Sequence, residues 1–285
     1  MSKITHTTAL AAAALLAIAP ATQAADWSDT SLGFRTGSSF AEPFNTQDIS
    51  KKIVSLGHVS GYKYGSNFFN ADLLLSDKND PSSAGATTGA QEVYVVYRHT
   101  LDLEKVTGTA MKFGVVRGVG LTAGFDFNTK TDAGYNSKKR MFVVGPTLNI
   151  DVPGFLNVSL LELFESNAPY STFSHTGVSR YTYKTHPMIT AAWGIPLGKD
   201  TGLAFEGFAN FIASKGKDEF GGNTAAETNI DMQVMYDLTK TAGIKGVKIG
   251  LEYQYWKNKF GNDASGFAGK GAFAKTPMLR AEYHF

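Results

Sequence analysis

Apolar and polar residues alternate along most of this chain. In GVKIGLEYQYW, Val247, Ile249, Leu251, Tyr253 and Tyr255 share one parity, and Lys248, Gly250, Glu252, Gln254 and Trp256 the other. A period of two places successive side chains on opposite faces of a β-strand. TGLAFEGFANFIA sets Leu203, Phe205, Ala209 and Phe211 against Ala204, Glu206, Phe208, Asn210 and Ile212. TNIDMQVMYDL and RGVGLTAGFDFN repeat the pattern, with Asp231 and Gln233, and then Thr122, Asp126 and Asn128, on the polar side. The alternation predicts twelve strands, at 28–40, 50–61, 66–77, 90–101, 112–128, 138–151, 154–166, 180–195, 201–214, 226–238, 246–258 and 275–285. One run leaves its phase open: in 154–166, Glu162 shares a face with Val158, Leu160 and Phe164. Runs of about 10–12 residues are twice the ordinary globular strand and long enough to cross a bilayer at a tilt.

The connections sort into two kinds. Those after the odd runs are polar and mostly long, among them DKNDPSSAGATTG, NAPYSTFSHTGVS and NKFGNDASGFAGKGAFA. Those after the even runs are mostly short, such as GYKYG, DVPG and PLGKDTG, with DLEKVTGTA a longer member. Long loops at one end, short turns at the other and an even strand count are the pattern of an outer-membrane barrel. A soluble β-sandwich would need strands of about half this length. A lipocalin-like barrel would turn its apolar residues inward, and its eight strands would use about two-thirds of the chain. The expected fold is all-β: one closed antiparallel transmembrane β-barrel of twelve strands over residues 25–285, a sheet with no free edge.

Composition adds where the barrel sits. The chain opens MSKITHTTALAAAALLAIAPATQAADW, with Lys3 before an apolar stretch at 9–21 and Thr22-Gln23-Ala24 as a small-residue cleavage site. Residues 1–24 are therefore expected to be a secretory signal peptide. No cysteine is present, so the exported chain holds together without disulfides. The 27 basic and 25 acidic residues leave a net charge of +2, which gives no reason to expect a nucleic-acid partner. No apolar run of about 18 residues follows residue 25, so no helical span is expected. A mean hydropathy of −0.13 does not argue against a membrane, because lipid-facing and lumen-facing residues average out along a barrel strand. Tyr97, Tyr181, Tyr183, Trp193, Tyr253, Tyr255, Tyr283 and Phe285 fall near strand ends on the outward parity, as interfacial girdles require.

Candidate chemistry lies on the inward parity. Glu92, Tyr94, Arg98, Asp126, Glu206, Phe208, Asn210, Asp231, Glu252, Trp256 and Arg280 are candidates to line the lumen and contact a solute. Pairs such as Glu92 with Arg98 or Glu252 with Arg280 would tie charges across a polar interior. Aromatic rings beside acids and amides suit a nucleobase with its ribose, and equally a sugar or an aromatic acid. GHVSG puts His58 and Ser60 on one strand face, as in the outer-membrane phospholipase family, but a nucleophile and base need a third group to orient them. No metal-ligand motif or phosphate-cradling glycine loop is present, and neither a metal nor a cofactor is expected.

EVYVVYRHTLDLEKVTGTAMKFGVVRGVGLTAGFDFN resembles the corresponding segment of the Tsx-like nucleoside-specific channels of Gram-negative outer membranes. GFANFIASKG is similar to that family's G-F-x-N-F strand, and KIGLEYQYWKN and the ending EYHF to its last two strands. The resemblance runs in order over most of 27–285, although this chain has only three tryptophans where enterobacterial members have many. It implies a monomeric twelve-stranded barrel whose narrow lumen passes nucleosides by weak binding to aromatic and ionisable residues. The expected activity is thus passive transport of small solutes, nucleosides first, through a pore open at rest. Other small-solute porins, a lipid-modifying enzyme using His58 and Ser60, and a structural barrel with a plugged lumen are the alternatives. The expected partners are outer-membrane lipid, the solute, and the assembly machinery that reads a terminal strand such as PMLRAEYHF through Tyr283 and Phe285.

Overall fold

A computed structural model describes residues 25–171 and 176–285; the signal-peptide expectation lies outside the described residues. Its long strands are β1 (Trp27–Phe40), β2 (Ile49–Tyr62), β3 (Gly65–Ser76), β4 (Gln91–Asp102), β5 (Val116–Lys130), β6 (Arg140–Ile150), β7 (Phe155–Asn167), β8 (His186–Pro196), β9 (Leu203–Ile212), β10 (Glu227–Asp237), β11 (Val247–Lys257) and β12 (Phe273–His284). Each pairs antiparallel with its sequence neighbours, and β12 pairs back on β1, with Phe34 opposite Ala281 and Arg35 opposite Arg280. The twelve strands close into one barrel, so every ladder has a partner on both sides.

The period of two becomes inside and outside. Residues directly opposite in a ladder face the same way. Ser55, Asp72, Tyr94 and Asn128 follow one another across β2 to β5 on the inner side, and Arg35 of β1, opposite Ile53, shares it. Their neighbours Phe34, Val54, Leu73, Val93 and Phe127 form an exposed apolar band on the outer side. No described helix is long and apolar enough to cross a membrane; the strands do the crossing. A closed barrel with this outer face is an outer-membrane barrel.

The short turns lie at one end. DLEKVTG forms a one-turn helix, Leu103–Thr107, because Asp102 accepts from the amides of Glu104 and Lys105, and Gly108 ends the turn at φ 73°. The long loops lie at the other, extracellular end. There Tyr135–Asn136, Tyr170–Ser171 and Thr176–Gly177 form a small separate sheet.

Two strands begin later than the alternation predicts. The run at 112–128 is Val116–Lys130, because a tight turn at Gly114 (φ 53°) brings Phe113 opposite Val116. The run at 180–195 is His186–Pro196, with Tyr181–Thr182 a separate short piece against β7. This corrects two of the predicted girdle residues. Tyr181 stands opposite Asn167, an inner-side residue. Tyr183 is buried, with Lys215 Nζ 4.1 Å above its ring and its hydroxyl donating to Glu219. The other six expected positions are on the outer wall, where Trp193 packs on Phe205, Tyr97 on Phe125 and Tyr283 on Phe285. Glu162 also settles outward, opposite Val144 and Pro187, while Leu161, Leu163, Val143 and Met188 form an apolar cluster inside.

Candidate functional site: the barrel lumen

The lumen is built in layers of side chains. In the middle, Arg35 of β1 reaches Asp72 of β3 at 2.5 Å and Glu252 of β11 at 3.1 Å. Glu252 also takes Arg280 of β12 at 2.9 Å, and Arg280 holds Glu282 at 2.6 Å. The two arginines stand opposite each other in the β1–β12 ladder, so the shared Glu252 offsets like charges that the register forces together. Asp231 of β10 is buried beside them and accepts from Gln254 Nε2 at 3.3 Å. On the next wall Arg98 reaches Asp126 at 2.5 Å, and the Tyr94 hydroxyl donates to the same carboxylate at 3.2 Å.

Toward the extracellular end the charges are denser. Loop 41–48 folds inward and inserts Glu42, whose carboxylate meets Lys51 at 2.5 Å, Lys259 at 2.9 Å and Lys130 at 3.4 Å. Lys130 also holds Asp80 at 3.0 Å and Asp132 at 2.6 Å. Side chains here are 1–5% exposed, so this layer is densely packed. Burial opposes ionisation of Glu42, but Lys130, Lys259 and Lys51 outweigh it and hold its carboxyl well below the ordinary range. Burial lowers the Lys259 ammonium, with Glu42 only partly compensating. A second cluster sits alongside: Glu165 takes Lys215 at 2.7 Å and Lys139 at 3.9 Å, and Trp256 Nε1 donates to Glu227 at 2.7 Å. Loop carboxylates and strand lysines thus pack together at the extracellular end of the lumen.

The lower lumen differs. Phe68 of β3 and Phe208 of β9 point inward yet are 43% and 36% exposed, so open space adjoins both rings. Their strands lie six apart in a ring of twelve, on opposing walls. Around them stand Arg98 opposite Phe68, Asp231 opposite Phe208, and Asn210, whose amide oxygen accepts from Thr190 Oγ1 at 2.6 Å. Glu206 meets Lys248 at 3.6 Å near the periplasmic mouth.

All eleven candidate residues occupy inner positions. The suggested Glu252–Arg280 pair is present. The suggested Glu92–Arg98 pair is not: the two sit six residues apart on β4, Glu92 accepts from Asn128, and Arg98 turns to Asp126. The structure adds Arg35, Lys51, Lys130, Phe68 and Glu42. The first four were open to a parity reading of β1, β2, β3 and the end of β5. Glu42 carries no periodic signal, because it is in a loop. His58 and Ser60 face outward near the periplasmic rim. His58 Nδ1 bonds to Thr30 Oγ1 at 2.9 Å, and Asn67 on the adjacent strand reaches Ser60 at 3.5 Å. Among the described residues no hydrogen bond joins His58 to Ser60, so the pair is not assembled as nucleophile and base. No group of His, Asp and Glu among the described residues is arranged to hold a metal ion.

The fold and the lumen define the class: a twelve-stranded outer-membrane β-barrel with a polar, ion-paired interior. No protein-family model matches the chain, and no curated protein matches it. Solved barrels resemble it distantly. The translocator domain of the autotransporter NalP from Neisseria meningitidis is 10% identical at a TM-score of 0.48, covering 98% of this chain and 96% of that one. The KdgM porin is 9% identical at 0.42, covering 90% and 99%. OccAB3 of Acinetobacter baumannii is 13% identical at 0.37, covering 90% and 64%. At these values the likeness does not reach ligand or activity.

Proposed function

We propose that this barrel is a passive channel for small solutes, with nucleosides as the leading class. One observation carries the reading: two exposed aromatic rings, Phe68 and Phe208, face open lumen from opposing walls. A flat ring with polar substituents could stack on either face, while Arg98, Asp126, Asn210 and Gln254 offer donors and acceptors beside it. Facilitated diffusion needs contacts of this kind, strong enough to admit a solute and weak enough to release it. The resemblance to Tsx-like channels supports nucleosides over other planar solutes. Passage would require the charged layer around Glu42 to part, so the channel is gated near its extracellular mouth.

Planar-bilayer conductance tests this. Adenosine and thymidine at millimolar concentration are expected to interrupt the ion current, a disaccharide far less. Phe208→Ala is expected to weaken the nucleoside effect by about fivefold or more, the lower end of the value of one stacking contact. If the disaccharide acts as well as the nucleosides, the nucleoside assignment is lost and a general small-solute porin stands. If neither the wild type nor Glu42→Gln conducts, the channel reading itself is lost.

A further inference from the structure

The lumen does not account for the charge on the outer wall. Glu162 is the one acid at an outward strand position among the described residues, whereas Lys52, Arg140, Lys257 and Lys275 all face outward near the extracellular ends of their strands. Arg140 opens β6 opposite Ser166 of β7, on the parity of Phe142 and Phe164. Arg180 descends from the loop onto the same spot. Its Nη1 donates to Ser166 Oγ at 3.1 Å and its Nη2 to the Lys138 carbonyl at 3.0 Å. Among the described residues no ion pair to Arg140 or Arg180 is formed, and the charge that acts on Arg180 is that of Arg140.

We propose that Arg140 and Arg180 form a binding site for the phosphate group of an anionic lipid in the outer leaflet. Three features support it. The geometry holds one guanidinium in place through two hydrogen bonds and leaves donors on both free, which matches the forked recognition of phosphate oxygens. Like charges are held together with no offsetting acid among the described residues: partial burial, and then the Arg140 charge, lower the Arg180 pKa, and an added anion would reverse that cost. Directly below, the Phe142 and Phe164 rings lie 6.1 Å apart on the exposed wall and offer an acyl chain an aromatic surface. A soluble anion would gain nothing from those rings. Exposed Lys138 and Lys184 flank the site and add to the local field.

The test uses the full barrel, purified in neutral detergent and titrated by native mass spectrometry. The probes are a glycolipid bearing phosphate monoesters, its dephosphorylated form, and inorganic phosphate. The phosphorylated lipid is expected to bind the wild type at least about tenfold more tightly than it binds Arg140→Gln with Arg180→Gln, the loss expected for charge-assisted hydrogen bonds. Lys275→Gln, on the far side of the barrel, is expected to bind as the wild type does. Equal binding of the dephosphorylated lipid, or undiminished binding by the double variant, overturns the proposal. Inorganic phosphate competing as well as the lipid does also overturns it, by assigning the site to a free anion. Should the double variant not fold, Arg140→Gln alone decides, since it keeps the backbone pairing of Arg140 with Phe127 and Ser166 and removes only its charge.

Discussion

Glu162 faces hydrocarbon. It stands between Leu160 and Phe164 on the outer wall, beside Val144 and Pro187, with no basic residue opposite it in either ladder. A carboxylate there costs stability whatever the lumen does. Glu162→Leu is expected to stabilise the barrel by about 1–2 kcal/mol, less than a lysine at the same depth would cost. Urea unfolding in lipid vesicles, followed by tryptophan fluorescence, measures it, and an unchanged midpoint would mean that the carboxylate reaches the headgroup layer. This residue also marks where residue-level reading works and where it stops. The alternation in LNVSLLELFE was clear, yet the glutamate fell on its apolar side, and parity alone could not say whether the strand or the residue was exceptional. The ladder with β6 and β8 shows that it is the residue.

Loops join strands in building the charged layer near the extracellular mouth. Loop 41–48 contributes Glu42, and the loop after β11 contributes Lys259, to a layer whose other members are strand lysines and Asp80 and Asp132 of neighbouring loops. A carboxyl whose folded pKa is depressed stabilises the structure above its ordinary value of 4.5 and loses that contribution only as pH falls through the lowered value. The Glu42 contribution to this layer should therefore persist at neutral pH and be lost only in strong acid. Single-channel recording against pH checks this: a low, flat conductance at neutral pH that rises in acid is expected, and Glu42→Gln should show the raised conductance at pH 7. A conductance that changes between pH 6 and 8 would assign the gate to another group. The strands were legible because a half-buried wall imposes a period of two on ten or more residues at a time. The inward fold of loop 41–48 was not, since its hold depends on lysines that come from β2, β5 and the far end of the chain. Tyr183 was misread for the same reason, because the chain leaves the strand pattern before His186 while the aromatic spacing continues.

At the scale of the whole molecule, one ladder joins the two extremes of the described barrel. Phe285 and Thr30 exchange backbone hydrogen bonds at 2.9 and 3.4 Å, and both strands meet at the periplasmic rim. Topologically the sheet has no first strand. Cutting it at the exposed tip of the loop between β3 and β4, at Gly85, and joining residue 285 to residue 25 through a short glycine-serine linker would leave every inter-strand pairing in place. Such a circular permutant is expected to refold in detergent to the same heat-modifiable form, read as a shift in electrophoretic mobility on boiling. A permutant that fails to refold would show that closure must start from the native β1–β12 seam. Success would turn the barrel into a cassette: a foreign segment could be placed at either new end, outside the membrane, while the old ends are sealed inside the linker.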